Sequence, residues 1–137
     1  MAGACLELAE NGHVELCLSE EILAEVDDVL KRPEIQSRFP SLTAVVVAEF
    51  IEALRGFGQL YPEPEKHFSY PRDSKDEPYL NLAIQAQAEF LVSRDKDILD
   101  LRQSLDAAAV EFRQKFAQIR IMEPLEFLRT MRADAGK

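Results

Sequence analysis

Between Arg72 and Asp97 the chain reads RDSKDEPYLNLAIQAQAEFLVSRDKD, with acids at both ends of one helix-then-strand unit. Asp73, Asp76 and Glu77 enter the unit, and Asp95 and Asp97 leave it. Carboxylates grouped without histidine or thiol beside them are oxygen donors for hard cations, so the chemistry open to them is that of Mg2+ or Mn2+ rather than zinc or copper. Such a group repels itself in a low dielectric, and it therefore binds a cation or holds a proton. Each acid also has a purely structural reading. Asp76 before Glu77-Pro78 has the form of a helix N-cap, and Asp97 before Ile98-Leu99 is placed to cap the helix that follows.

The elements that must position these acids follow from periodicity. Leu80, Ala83, Ile84 and Ala88 recur at helical spacing, and Phe90, Leu91 and Val92 form the short apolar run of a buried strand. In open α/β sheets the groups just past the carboxyl ends of the strands line the ligand crevice, which is where Asp95 and Asp97 fall. Upstream, residues 3–10 read as a helix tail stopped at Asn11-Gly12, and Val14 to Leu18 as a strand. Ser19 followed by Glu20 and Glu21 starts a helix that runs to about Arg32, with Ile22, Val26, Val29 and Leu30 on its apolar face. Glu25 sits at the edge of that face and, taken alone, reads as a solvated rim carboxylate.

A second helix is expected from Ser41 or Thr43 to Arg55, then a connection with at most a brief strand near Gln59 to Tyr61. Residues 98–116 read as helix broken once near Ser104-Leu105-Asp106, residues 119–122 as a strand, and 125–131 as a last helix after Pro124. Helices alternating with short apolar strands imply a parallel sheet covered on both faces. Only three convincing strands are legible, a small number for such a sheet.

The 137 residues suit a single domain, expected over residues 1–132 with a flexible tail at 133–137. A hydrophobic share of 47% beside 30% charge is that of a soluble protein, and no membrane span or secretory leader is legible, so the expected location is cytoplasmic. The net charge of −9 disfavours broad adhesion to nucleic acid or anionic membrane, and fits a carboxylate-lined cation site or a basic partner. Cys5 and Cys17 lack any metal or redox spacing and read as buried thiols, and His13 and His67 are isolated.

Three segments, VELCLSEEILAEVDDVLKRP, RDSKDEPYLNLAIQAQAEFLVSRDKDIL and the closing IRIMEPLEFL, together resemble those of PIN-domain proteins of the kind found as toxins in prokaryotic toxin–antitoxin pairs. The resemblance covers nearly the whole chain. It implies a three-layer α/β/α fold around a small central parallel sheet, and metal-dependent hydrolysis of RNA phosphodiesters, in which a divalent cation activates water and stabilises the leaving oxygen. It further implies an RNA substrate, an antitoxin partner and Mg2+ or Mn2+ as cofactor. Carried over residue by residue, Glu25 matches the family's helical glutamate, Asp76 the acid opening the central helix, and Asp95 the acid after the strand. These three are the expected catalytic residues, and with Asp97, which resembles a frequent fourth acid, the expected metal ligands. Ser93 stands where the family often has threonine. Lys31, Arg32, Arg94 and Lys96 are candidates for steering a phosphate backbone but equally for solvated surface.

Family members begin with a strand that ends in aspartate, lies in the middle of the sheet and supplies a principal ligand. Here Met1 falls inside what would be the first helix. The resemblance therefore predicts a sheet short of one strand, a site short of one carboxylate, weakened cation affinity, and a chain prone to homo-oligomerise. The alternative reading is a catalytically inactive PIN-like interaction module or a truncated remnant. A small nucleotide-binding protein is a third, for which no glycine-rich phosphate loop is present.

Overall fold

The computed structural model describes residues 2–63 and 65–135. In chain order it runs α1 (Ala2–Glu10), β1 (Cys17–Leu18), α2 (Glu20–Leu30), α3 (Pro33–Arg38), α4 (Ala44–Phe57), β2 (Gln59–Leu60), a 3-10 helix (Pro71–Asp76), α5 (Glu77–Gln85), β3 (Phe90–Val92), α6 (Lys96–Asp100), α7 (Ala107–Lys115), β4 (Arg120–Met122) and α8 (Pro124–Ala135). The fold is α/β, as expected.

Local chemistry sets most boundaries. Gly12, at φ 79, lets the chain fold back after α1, so that its N–H donates to Ala9 O at 3.1 Å and that of His13 to Leu8 O at 2.8 Å. The Ser19 hydroxyl accepts from Ile22 N at 3.2 Å and that of Thr43 from Val46 N at 3.2 Å, which fixes the starts of α2 and α4. Pro33 ends the helix expected from Ser19, yet a further short helix, α3, begins on it, because proline suits the first helical position. The break foreseen near residues 104–106 is the turn between α6 and α7. The last helix continues to Ala135, into the segment expected as a tail, while residues 136–137 lie outside the described residues.

The strands pair in parallel, β1 with β2 (Cys17 opposite Gln59) and β3 with β4 (Leu91 opposite Ile121). One small sheet was expected, but the pairing gives two two-stranded units, because no described strand hydrogen-bonds to both β1 and β3. The core divides in the same way. Leu18, Leu23 and Leu54, with Leu6, Phe50 and Phe57 against them, pack around the first pair. Phe68, Tyr70, Leu80, Leu101, Phe112 and Ile119 pack around the second, with the Phe112 ring edge-on to Phe68 at 5.2 Å. Helix α5 spans the division, since it packs against α2 and β1 as well as contributing Leu80 and Ala83 to the second cluster.

Gly58 joins α4 to β2 where its neighbours leave no room for a side chain. A Cβ there would stand 2.8 Å from Leu54 O and run into the Leu18 side chain. Gly58→Ala should therefore lower unfolding free energy by about 1–3 kcal/mol, the ordinary cost of overpacking. Urea unfolding of the two proteins measures it, and an unchanged midpoint would show that β1 and α4 have slack that the structure does not display.

Candidate metal centre

Asp76, Asp95 and Asp97 each offer one carboxylate oxygen to a group in which all three atoms lie within 4.8 Å of one another. The elements that deliver them are those read from the sequence. Asp76 closes the 3-10 helix at the start of α5, and the loop after β3 carries Asp95 and Asp97 into α6. Their environments differ: Asp76 is buried, at 7% exposure, Asp95 is exposed and Asp97 is intermediate. The site is thus a floor with an open side.

Capping roles fall differently from the expectation. Asp95, not Asp97, caps α6, its Oδ1 accepting from Asp97 N at 2.8 Å and Ile98 N at 3.3 Å. Asp97 already lies inside the first turn, where its side chain points away from the cap and its Oδ1 meets Arg72 Nε at 2.8 Å. Asp76 holds the N-cap position of α5 but makes no capping hydrogen bond with its side chain. Ser93 contributes its hydroxyl one step back, accepting from Asp95 N at 2.9 Å and so shaping the loop.

Glu25 does not join the three aspartates. It is half-buried on α2, beside Tyr79 of α5, whose hydroxyl is pushed above the ordinary tyrosine range first by burial and then by the Glu25 and Asp76 carboxylates. Leu23 of α2 packs in the first core cluster, whereas Tyr70 and Leu80, which flank Asp76 in sequence, pack in the second. The side chain of Asp73 lies outside what the structure describes. Lys31 and Arg32 pair along α2 with Asp27 at 3.0 Å and Asp28 at 3.5 Å, and Arg94 and Lys96 are exposed. Cys5 and Cys17 are free thiols whose pKa values rise with burial, which fits inert packing.

Two contributors were not singled out from the sequence. Arg72 Nη2 donates to Asp100 Oδ2 at 2.7 Å, and its Nε and Nη1 form ion pairs with Asp97 Oδ1 at 2.8 Å and Asp106 Oδ2 at 3.8 Å. Asn81, buried on α5, ties down the segment that leads into the 3-10 helix. Its Oδ1 accepts from His67 N at 2.7 Å and Phe68 N at 2.8 Å, and its Nδ2 donates to Phe68 O at 3.1 Å and Glu77 O at 2.9 Å. The Tyr70 hydroxyl then donates to Asp97 O at 2.6 Å, so the two acidic segments are fastened to one another through the backbone. A polar residue inside an apolar helical face was the signal available for Asn81, and an arginine four residues before Asp76 the signal for Arg72.

The donor set fits a hard divalent cation. Oxygens bound to one Mg2+ or Ca2+ lie at most about 4–5 Å apart, and all three groups here are carboxylates. An α/β domain with carboxylates gathered after a strand and at the start of a helix defines a class of cation-dependent sites. The PIN-domain family model matches residues 1–97, which is 97 of 137 residues and includes Glu25, Asp76, Asp95 and Asp97, and the chain belongs to that family. PIN domains are generally nucleases, act on RNA and are typically dependent on divalent metal. The match stops short of IRIMEPLEFL, on which the resemblance also drew. No curated protein and no solved structure matches the chain. No helix among the described residues is long and apolar enough to cross a membrane.

Replacing Asn81 by Leu should strand several buried backbone groups and cost about 2–5 kcal/mol of stability. Denaturant unfolding would read it, and a loss below about 0.5 kcal/mol would mean that water satisfies the 67–68 segment as well as the amide does.

Proposed function

We propose that the chain is a metal-dependent ribonuclease of toxin–antitoxin type, with Asp76, Asp95 and Asp97 holding Mg2+ or Mn2+. The single observation that carries this reading is the convergence of three carboxylates from two separate segments within 4.8 Å. When bound, the cation supplies a nucleophilic water and stabilises the leaving oxygen. The residues do the positioning. Buried Asp76 anchors one side, Asp95 is fixed by the two amides that it caps, and exposure of Asp95 leaves room for a phosphate. Glu25 enters this proposal as a catalytic residue and ligand reached by a small closure of α2 on α5, with Tyr79 between.

An RNA chain is repelled by a surface of net charge −9, so the cation is also what makes approach favourable. The partners proposed with this activity are an antitoxin protein and a second copy of the chain. Support comes from β1 and β3, which have no described strand partner on their second edges and so can accept a strand from another molecule. Cytoplasmic action accords with the RNA substrate.

Asp95→Asn isolates the chemistry, because asparagine caps a helix as well as aspartate does and the start of α6 should survive. With single-stranded RNA and Mn2+ the native chain should cleave slowly, chelation should stop it, and Asp95→Asn should reduce the rate at least about tenfold, as loss of one charged ligand does. Cleavage that persists under chelation, or that Asp95→Asn leaves intact, would refute the assignment. Cation binding without any cleavage would instead favour the inactive interaction module.

A further inference from the structure

We infer that Arg72 is a resident counter-ion of the metal centre, which competes with the divalent cation for Asp97 and so sets the affinity of the site. The inference rests on the metal-centre reading above and deepens it. Arg72 lies in the same 3-10 helix as Asp76, and its guanidinium reaches across to Asp97, Asp100 and Asp106 on the segment that follows β3. It is thus a cation that the structure places against the three-aspartate group, ion-paired at 2.8 Å with one of its members.

The geometry makes it exchangeable rather than structural in the ordinary sense. The Arg72 side chain is 36% exposed, and Asp100, its shortest contact and its hydrogen-bond acceptor, stands outside the group. A cation arriving at Asp76 and Asp95 would draw the Asp97 carboxylate toward itself, and Arg72 would remain held by Asp100 and Asp106. Without metal, the guanidinium offsets the mutual repulsion of the aspartates. With metal, it is a like charge beside the ion, and it costs affinity. A unit charge at contact distance from a divalent ion changes binding by roughly tenfold, even with water-like screening.

The test is Mn2+ titration by calorimetry on the native chain, Arg72→Gln, Arg72→Lys and Asp95→Asn. Arg72→Gln should bind Mn2+ about tenfold more tightly, and Arg72→Lys, which keeps the charge, should return to near the native value. Unchanged or weaker binding by Arg72→Gln, with Asp95→Asn still impaired, would overturn the role of Arg72 and leave the metal centre standing. Binding that Asp95→Asn does not impair would remove the metal centre, and this inference with it. Should Arg72→Gln fail to fold, the native chain decides alone. The Arg72 Nε–H resonance, whose nitrogen is ion-paired with Asp97 at 2.8 Å in the absence of metal, should shift on saturation with diamagnetic Mg2+, and an unmoved resonance would refute the competition.

Discussion

Three carboxylates that each bring an oxygen within 4.8 Å of the others repel one another unless a cation or a proton lies among them, and the architecture around residues 70–106 answers that constraint. The answer has two parts. Two backbone amides at the start of α6 meet Asp95, and a guanidinium meets Asp97, while Asp76 is buried where the 3-10 helix turns into α5. Tyr70 and Asn81 then hold the two segments in register, one through Asp97 O and the other through the 67–68 backbone.

The second unit of the core is the larger one. Six of its buried residues are aromatic or bulky aliphatic groups, and the Phe68 ring meets those of Tyr70, Phe112 and Phe116. A rigid floor limits how far the carboxylates can relax apart. The first unit, built on the 2-residue strands β1 and β2, carries Glu25 but is joined to the second chiefly through α5.

Much of this was legible in the sequence, and the division follows physical range. Signals that act within a few residues were read directly: the Ser19 and Thr43 caps, the Gly12 stop, the strand at Phe90–Val92 and the acids flanking it. Asp76, Asp95 and Asp97 meet because the order of helix, strand and loop dictates it. Signals that act across the fold were not legible. The assignment of the cap to Asp95 rather than Asp97 depends on two residues of register, and the division of the sheet depends on which strands pair. The tie from Arg72 to Asp97 spans 25 positions and shows only in three dimensions. Glu25 was placed by resemblance alone, and the structure leaves it one side chain away from the centre.

The central claim is that the three aspartates form one divalent-cation site, and it is tested most directly by a crystal structure of the chain grown with MnCl2, using anomalous scattering at the manganese edge. The account predicts an anomalous peak coordinated by oxygens of Asp76, Asp95 and Asp97 together. Well-ordered aspartates with no peak between them, or manganese bound only elsewhere, would contradict it.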